Sequence, residues 1–419
     1  MNNHPLKAAG PIDVAIIGGG PAGLAAATAL KQANVARVVV LERETQAGGI
    51  PRHCGHPPFG MREFKRILRG SDYAARLVAQ ARQAGVEVHI SATVVEIRPG
   101  GELLVAVPEG VLELAPYRVI YATGVREKSR AARLISGARV SGVLNTGALQ
   151  SIVHLKNRRP FRRPVIIGSE LVAFSALVTC RHARIRPVAM IEERPRVIAR
   201  WPVSLFPRLV GVPLWTGTKL LRIEGEHNVT GIKVRGPDGH TRRIACDGVV
   251  LSGQFTPVSS LARSGHLAVD LATGGPAVDQ WGRCSDPAYF ATGNLLRPVE
   301  TAGWSWSEGR KTGQWVARDL VGRLPEATSD LQLEVSGNSL KYVMPQNLVL
   351  GSPYTGMPDL QFRVDKDVRG TLVALNSKGE IWRKSIHAHP ERRLLVSVSE
   401  IATTGATGAL KFEFREQNP

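Results

Sequence analysis

A chain of 419 residues with a hydrophobic fraction of 43% is long enough for two or three domains with cores of their own. The net charge of +19 fits either an anionic partner or an Arg-rich surface with evenly spread charge, and we favour the second. No Lys/Arg run alternates with aromatic residues, so we expect no nucleic-acid partner.

The four cysteines, Cys54, Cys180, Cys246 and Cys284, form no close pair in sequence. This spacing argues against a structural zinc and against a locally encoded redox disulfide. The first ten residues lack the apolar core of a signal peptide, and no stretch approaches the roughly 18 apolar residues of a membrane helix. We therefore expect a cytoplasmic protein without an integral membrane segment, and peripheral membrane attachment stays open as an alternative.

The first elements predict a dinucleotide-binding unit. An apolar strand over 12–17 enters a turn with glycines at 18, 20 and 23, and a helix and a second strand follow. The three glycines would make the tight turn, admit a pyrophosphate to the backbone and let helix pack on strand, while the acidic residue after the second strand would accept ribose hydroxyls. The cofactor-binding residues expected here are Gly18, Gly20, Pro21, Ala22, Gly23, Glu42, Arg43 and Gly49.

The pattern then appears a second time. After a helix near 71–85, a β-meander over 94–114 and a strand at 119–121 that runs into Ala122, Thr123 and Gly124, the chain repeats the strand, turn, helix and strand. The repeat comprises a strand at 164–167, a helix at 171–182, a strand at 188–191, a meander that turns at 237–239 and a strand at 249–251. The chain therefore contains two units of similar pattern.

Beyond about residue 325, four alternating segments at 360–364, 371–375, 393–398 and 410–414 predict a small antiparallel β-sandwich. The predicted fold is α/β, with two Rossmann-like dinucleotide-binding domains and this C-terminal β-sandwich. The expected domains are 1–128 with 248–328 for the first nucleotide, 129–247 for a degenerate NAD(P)-like domain, and 332–419 for the sandwich.

The second glycine turn departs from the pattern. It reads Gly168-Ser169-Glu170, and Glu170 stands where the turn needs a small residue. A carboxylate there would meet a pyrophosphate with both bulk and like charge. We predict weak or absent NAD(P) binding, although Glu192, at the end of the following strand, could still accept ribose hydroxyls and keeps the alternative open.

The segment Ala291-Thr292-Gly293-Asn294 resembles the flavin-closing segment of the two-dinucleotide-binding flavoproteins, the glutathione-reductase-like superfamily. The resemblance spans about 12–322 and implies FAD as cofactor, with Asn294 in place of the usual aspartate beside the ribityl chain. It also implies that a helix starting at Glu308 points its N-terminus at the flavin ring. The further cofactor residues it implies are Ala122, Thr123, Gly124, Gly293, Asn294 and Gly309.

The segment 50–56 holds one cysteine, so we expect no disulfide cycle. With residues 60–64 it resembles flavoprotein subunits of multi-component dehydrogenases, such as those of opine oxidase, hydrogen cyanide synthase and flavin-dependent glycerol-phosphate or hydroxy-acid dehydrogenases. His53, Cys54 and His56 are candidates for the flavin's reactive face, or they position the loop. Trp304 is a further candidate, although it and Trp306 could equally be packing residues. The His-Cys-x-His spacing suits metal poorly, so we expect none.

Residues Arg126, Glu127 and Arg130 follow the first unit, and we interpret them as a solvated linker rather than as an anion site. The sequence predicts an FAD-dependent oxidoreductase that takes a hydride from a small amine or hydroxy acid. The acceptor would be other than NAD, and a partner dehydrogenase subunit is possible. The alternatives are an NAD(P)H-dependent flavoprotein reductase and a non-catalytic nucleotide-binding scaffold subunit.

Overall fold

The computed structural model describes residues 6, 10–199, 201–326, 331–350, 356–390, 392–402 and 408–416. The chain divides into two compact units. The first unit comprises Met1–Gly49, Ala74–Val125 and Pro257–Pro419, and the second comprises Ile50–Tyr73 and Arg126–Thr256.

The first unit contains a layer built on a parallel sheet, which is the expected nucleotide-binding part, and a C-terminal layer. The elements of its nucleotide-binding part are β1 (Val14–Ile17), α1 (Pro21–Gln32), β2 (Val38–Leu41), α2 (Gly70–Gln83, whose start lies in the second unit), β3 (Glu87–His89), β4 (Thr93–Ile97), β5 (Leu103–Val107), β6 (Gly110–Leu114) and β7 (Arg118–Tyr121). The second unit and its two boundary strands hold β8 (Val125–Glu127), β9 (Ser136–Gly137), β10 (Val143–Asn145), α3 (Thr146–Gln150), β11 (Pro164–Ile167), α4 (Leu171–His182), β12 (Ala189–Ile191), α5 (Phe206–Leu209), β13 (Leu214–Trp215), β14 (Lys219–Gly225), β15 (Val229–Arg235), β16 (Thr241–Ala245), β17 (Gly248–Leu251) and β18 (Phe255–Pro257).

The chain then returns to the first unit. The remaining elements are α6 (Ser260–Ser264), β19 (Tyr289–Ala291), α7 (Ala302–Asp319), β20 (Leu331–Ser336), β21 (Leu340–Met344), β22 (Asn347–Leu348), β23 (Asp359–Val364), β24 (Val368–Asn376), β25 (Gly379–Ala388), β26 (Leu394–Ser397), α8 (Val398–Ala402) and β27 (Gly408–Glu416).

Two five-stranded parallel sheets, which share the order of four strands and differ in the origin of one edge strand, confirm the expected α/β fold. The first has strand order β19-β7-β1-β2-β3, and the second has order β10-β17-β11-β12-β13. Their central strands, β1 and β11, consist of apolar residues that are almost wholly buried, as expected for parallel strands covered on both faces. Each sheet is accompanied by an antiparallel meander, β4–β6 in the first unit and β14–β16 in the second.

Two boundaries between the compact units differ from the domain boundaries expected from the sequence. Strand β17 pairs with β10 and β11, so residues 248–251 belong to the second unit and the chain returns to the first at Pro257. The segment 50–73 also belongs to the second unit. The chain just after its 3₁₀ turn (Ile50–His53) packs closely there, because a Cβ built on Gly55 would lie 2.3 Å from Cε1 of His154.

The C-terminal layer is a two-sheet sandwich, as expected. A five-stranded sheet of order β22-β20-β27-β24-β25 packs on a three-stranded sheet of order β21-β23-β26 around one apolar core. The larger sheet is not wholly antiparallel, because β20 and β27 pair in parallel. The strands β20, β21, β22 and β25 were not predicted from the sequence, although β20 alternates between apolar and polar residues and its burial begins with the same alternation.

Within the described residues, no helix is long and apolar enough to cross a bilayer.

Candidate functional site

Two of the three glycines in the first turn have no room for a Cβ atom, whereas the third has room for one. A Cβ on Gly18 would lie 2.7 Å from the carbonyl oxygen of Ala122, and one on Gly23 would lie 2.0 Å from the carbonyl oxygen of Gly18. At Gly20 the same atom would meet only Cα of Gly49, at 3.9 Å. The free space therefore lies over Gly20, directly before the first turn of α1, where unpaired N–H groups and the positive end of the helix dipole attract an anion.

Glu42 is buried behind this turn. Its Oε2 accepts a hydrogen bond of 2.9 Å from the N–H of Gly19, and its Oε1 accepts one of 2.9 Å from the N–H of Glu44. A carboxylate has about four acceptor sites, so two remain for ribose hydroxyls. Glu42 thus shapes the turn in addition to its expected contact with ribose. Arg43, beside it, is exposed and lies 3.8 Å from the Glu44 carboxylate.

The segment expected to be the first crossover lies at the end of β7. The N–H of Ala122 donates to the carbonyl of Ile17, and the hydroxyl of Thr123 donates to the carbonyl of Val258 at 2.7 Å. A Cβ on Gly124 would meet no atom within 4 Å. The open space at Gly124 fits the expectation that a cofactor lies beside it.

Both the oxygen and the nitrogen of the Asn294 side-chain amide bond to the backbone of Glu300, which closes the loop between these residues. Its Oδ1 accepts from the N–H of Glu300 at 2.7 Å, and its Nδ2 donates to the carbonyl of Glu300 at 2.9 Å. An aspartate could accept but could not donate, which gives a physical reason for asparagine here. One amide proton and one oxygen lone pair remain for the expected contact with a ribityl chain.

Helix α7 begins at Ala302, six residues before the expected start at Glu308. Trp304 and Trp306 therefore lie inside its first turns rather than before it. Gly309 is buried against α1, because a Cβ on it would lie 2.0 Å from the carbonyl oxygen of Ala22. Similarly, a Cβ on Gly293 would lie 2.8 Å from Cβ of Ala22. Close packing explains both glycines, and a cofactor contact through either of them stays a prediction.

A buried arginine links this segment to the C-terminal sandwich. Arg297 is fully buried, and its guanidinium pairs with both carboxylate oxygens of Glu308. Its Nε also donates to Oε1 of Gln361, on β23, at 3.0 Å. Because a buried charge is stable only when it is paired, this arginine fixes the loop, α7 and the sandwich together. Sequence reasoning missed it, although a lone arginine in the apolar run at 295–298 was a usable signal.

Two further arginines of the sandwich reach the same loop. Arg363 donates to Oε1 of Glu300 at 3.0 Å, and Nε of Arg393 lies 3.4 Å from the same oxygen. The Arg393 guanidinium also lies over the indole of Trp304, 4.0 Å from the ring centroid. The sandwich thus holds the expected flavin-closing loop, which gives it a structural task that the sequence did not reveal.

In the second unit, the Glu170 carboxylate lies in the glycine turn itself. Its Oε2 would be 2.8 Å from a Cβ on Gly168, and its Cδ would be 2.9 Å from a Cβ on Gly253. Its Oε1 accepts from the hydroxyl of Ser252, and burial raises the pKa of this carboxyl. The space that a pyrophosphate would need between these two glycines is therefore filled by the protein's own side chain.

Behind that turn, Glu192 occupies the position at the end of its strand that Glu42 occupies in the first unit, with a serine hydroxyl in place of one backbone N–H donor. Its Oε2 accepts from the hydroxyl of Ser169 at 2.6 Å, and its Oε1 accepts from the N–H of Arg194 at 2.9 Å. The acceptor expected for a ribose is thus retained in the second unit, and only the turn has changed.

A second buried carboxyl, Glu127, lies at the same end of the second sheet. Oε2 accepts from the N–H of Gly147 at 2.8 Å, whereas Oε1 is buried and has no hydrogen-bond partner among the described residues. Burial raises the pKa of Glu127 to about 7, and the nearby Glu170 adds to the rise while Arg133 opposes it. Arg133 donates to the carbonyls of Ser252 and Gly253 at 2.8 and 2.6 Å. Glu127 is therefore no part of a solvated linker, contrary to the sequence-based expectation.

The raised pKa of Glu127 predicts that the free energy of unfolding depends on pH. The folded protein holds the Glu127 proton up to about pH 7, whereas the unfolded chain releases it near 4.5. Its contribution is therefore fully present below pH 4.5 and is lost as the pH rises through 7, which amounts to about 3 kcal/mol for the whole shift. We expect Glu127→Gln to unfold with a flatter pH dependence than the wild type between these pH values, as followed by thermal unfolding.

The matched control is Glu226→Gln, which removes an exposed carboxyl of the same unit. It should leave the pH profile of the wild type unchanged. Identical slopes for both variants would show that Glu127 does not retain its proton in the folded state.

The candidate catalytic residues of the segment 50–56 lie in the second unit, whereas Trp304 lies in the first. Cys54 is buried, its Sγ lies 3.7 Å from Oε1 of Gln150, and burial raises the pKa of the thiol to about 12. All four cysteines are free, as expected from their spacing. A protonated, buried thiol is a poor nucleophile, so Cys54 acts here as a packing residue.

The two histidines of this segment remain candidates. Nδ1 of His56 lies 2.9 Å from the carbonyl oxygen of Pro57, and its ring packs against Phe59. His53 ends the 3₁₀ turn and is half-exposed. Both imidazoles are half-exposed, so a role in proton transfer is easier to assign to either histidine than to the buried Cys54.

A comparison with protein families gives one broad match. The family model described as pyridine nucleotide-disulphide oxidoreductase covers residues 12–311. Two curated relatives are a putative glutamate synthase [NADPH] small chain of Cereibacter sphaeroides and the sarcosine oxidase subunit alpha of Rhizobium meliloti (strain 1021). The first is 27% identical over 72% of this chain and 75% of its own length. The second is 25% identical over 70% of this chain, which spans only 28% of that subunit.

A solved structure with the same fold is the thioredoxin reductase of T. acidophilum, with a TM-score of 0.64 and 20% identity over 74% of this chain and 99% of that one. A NAD-dependent persulfide reductase of A. fulgidus has a TM-score of 0.57 and 18% identity, and it covers 92% of this chain and 71% of its own. At these identities the likeness concerns the fold alone.

Proposed function

Because the chain belongs to the pyridine nucleotide-disulphide oxidoreductase family, we propose that it is the FAD-binding component of a multi-component dehydrogenase or oxidase. The protein is an oxidoreductase with FAD as its cofactor. The proposed substrate is a small amine or hydroxy acid, the proposed acceptor is not NAD(P), and the proposed location is the cytoplasm. Bound FAD would supply a hydride acceptor at its N5 atom.

The observation that carries this proposal is the position of the Glu170 side chain. Its carboxylate fills the second glycine turn and bonds to Ser252. A dinucleotide would have to displace the carboxylate and leave the Ser252 hydroxyl without its acceptor. Reduction of the flavin by NAD(P)H is thereby disfavoured, and a reductant that does not use this turn is favoured.

In the first unit, we assign cofactor binding to the open turn. The N-terminus of α1 and the open backbone at Gly20 would hold the pyrophosphate, and Glu42 would hold a ribose. Asn294 would contact the ribityl chain while its amide keeps the loop to Glu300 closed. The Arg297–Glu308 pair would keep α7 in place behind the flavin.

The similarity to sarcosine oxidase subunit alpha supports a small amine as substrate and a partner subunit. This chain spans 28% of that relative, so we propose that a partner supplies further parts of the substrate site. The second candidate function is an NAD(P)H-dependent reductase, which the preserved position of Glu192 favours. A non-catalytic scaffold subunit is the third.

The test is an anaerobic titration of the purified yellow protein, co-expressed with the products of its neighbouring genes. We expect the flavin absorbance to survive excess NADH and NADPH and to bleach with a member of a panel of small amines and hydroxy acids. Bleaching by NADH would establish the reductase instead. A protein that stays colourless after FAD is added would establish the scaffold.

A further inference from the structure

The positive charge of the chain is not spread evenly. The second unit contains 28 Lys and Arg against 10 Asp and Glu, whereas the first contains 26 against 25. Nearly all of the net charge of +19 therefore belongs to the second unit. A general bias towards arginine would affect both units alike, so the even spread expected from the sequence is wrong.

Part of this charge converges on one end of the second sheet. Arg162 and Arg163 directly precede β11, and the N–H of Arg186, which precedes β12, donates to the carbonyl of Arg162 at 2.8 Å. Arg181 lies in the last turn of α4, and the N–H of Arg184 donates to its carbonyl. These residues lie at the amino end of the parallel strands, whereas the altered glycine turn lies at the carboxyl end.

We define the arginine cluster as Arg159, Arg162, Arg163, Arg181, Arg184 and Arg186, all of which are exposed. Among the described residues, none of these six guanidinium groups has an ion-pair or hydrogen-bond partner. The nearby Asp247 does not neutralise them directly, because its carboxylate accepts from the backbone N–H groups of Arg162 and Arg163. Six unpaired like charges repel one another, so an anionic surface would stabilise the cluster.

We propose that the arginine cluster docks an acidic face of a partner protein subunit. This inference rests on the proposed multi-component function and names the surface that would carry the assembly. Arginine is enriched in protein interfaces while lysine is depleted, and its planar fork pairs with carboxylates through two parallel hydrogen bonds. Within residues 158–163 and 181–186, the one Phe, Tyr or Trp side chain, Phe161, is buried, so it offers no ring on which a nucleic-acid base could stack.

The test compares three anionic probes: poly-L-glutamate, a short DNA duplex and phosphatidylserine vesicles. Binding of the full-length, FAD-loaded chain is measured at an ionic strength of about 0.15 M, where charges beyond about 8 Å are screened. We expect poly-L-glutamate to bind more tightly than the other two. The triple variant Arg159→Glu, Arg181→Glu, Arg186→Glu should bind it at least about tenfold more weakly.

The matched control is Arg82→Glu, Arg323→Glu, Lys378→Glu, which changes the net charge equally on exposed positions of the first unit. It should bind like the wild type, and both variants should retain the flavin spectrum. Equal weakening by both triple variants would show that net charge alone is responsible and would overturn the proposal. Tighter binding of DNA or of vesicles would also overturn it in favour of that partner. None of these results alters flavin reduction by substrate, so this proposal and the proposed function fail separately.

Discussion

Gly20→Ala is expected to weaken FAD binding by about a hundredfold, or about 2.8 kcal/mol, while the apoprotein keeps its fold. Gly20 has φ −83° and ψ −175°, an extended conformation that alanine adopts without strain. The new methyl group would meet only Cα of Gly49, at 3.9 Å, so no protein atom has to move. It would project into the space at the N-terminus of α1, where the pyrophosphate must approach the backbone.

FAD affinity is measured by titrating the apoprotein and following flavin fluorescence, and apoprotein stability is measured by thermal unfolding. Gly23→Ala is the matched control, because its methyl group would lie 2.0 Å from the Gly18 carbonyl oxygen and should destabilise the apoprotein itself. The two variants therefore distinguish an effect on FAD binding from an effect on folding. Unchanged FAD affinity in the Gly20 variant would place the pyrophosphate elsewhere.

Local patterns predicted the nucleotide-binding elements well, because strand, turn and helix are encoded over about twenty adjacent residues. The helix expected at 171–182 has those bounds in the structure. The position of the Glu170 carboxylate could not be predicted in the same way. It depends on Ser252 and Gly253, more than 80 residues further along the chain, which meet the turn only after the parallel strands β11 and β17 pair.

Contacts between residues far apart in the sequence also explain the other features that sequence patterns did not predict. Gly248 to Leu251 has the pattern of any buried strand, so the sequence could not show which of the two sheets it joins. The segment at 50–56 suggested chemistry, whereas Cys54 is buried within the second unit beside Gln150, a residue 96 positions further along the chain. The task of the C-terminal sandwich lies in contacts such as Arg297 with Gln361, between residues 64 positions apart.

Glu170→Gly is expected to strengthen NADH binding, which we predict to be weak or absent in the wild type. The substitution removes the carboxylate that lies over Gly168 and Gly253 and gives the turn a small residue at its second position. Glu192, like Glu42, accepts the N–H of the residue two positions further along the chain, and its remaining acceptor sites are available for a ribose. We expect the dissociation constant for NADH to fall at least about tenfold, which corresponds to about 1.4 kcal/mol.

Binding is measured by calorimetry, and thermal unfolding checks the cost of leaving the Ser252 hydroxyl without its acceptor, about 1–3 kcal/mol. Glu170→Gln separates the two causes, because it removes the charge but keeps nearly all of the bulk. If only the glycine variant binds NADH, bulk closes the turn; if both do, like charge closes it. Micromolar binding of NADH by the wild type would contradict the prediction, because it would require the carboxylate to leave the turn at the cost of its bond to Ser252.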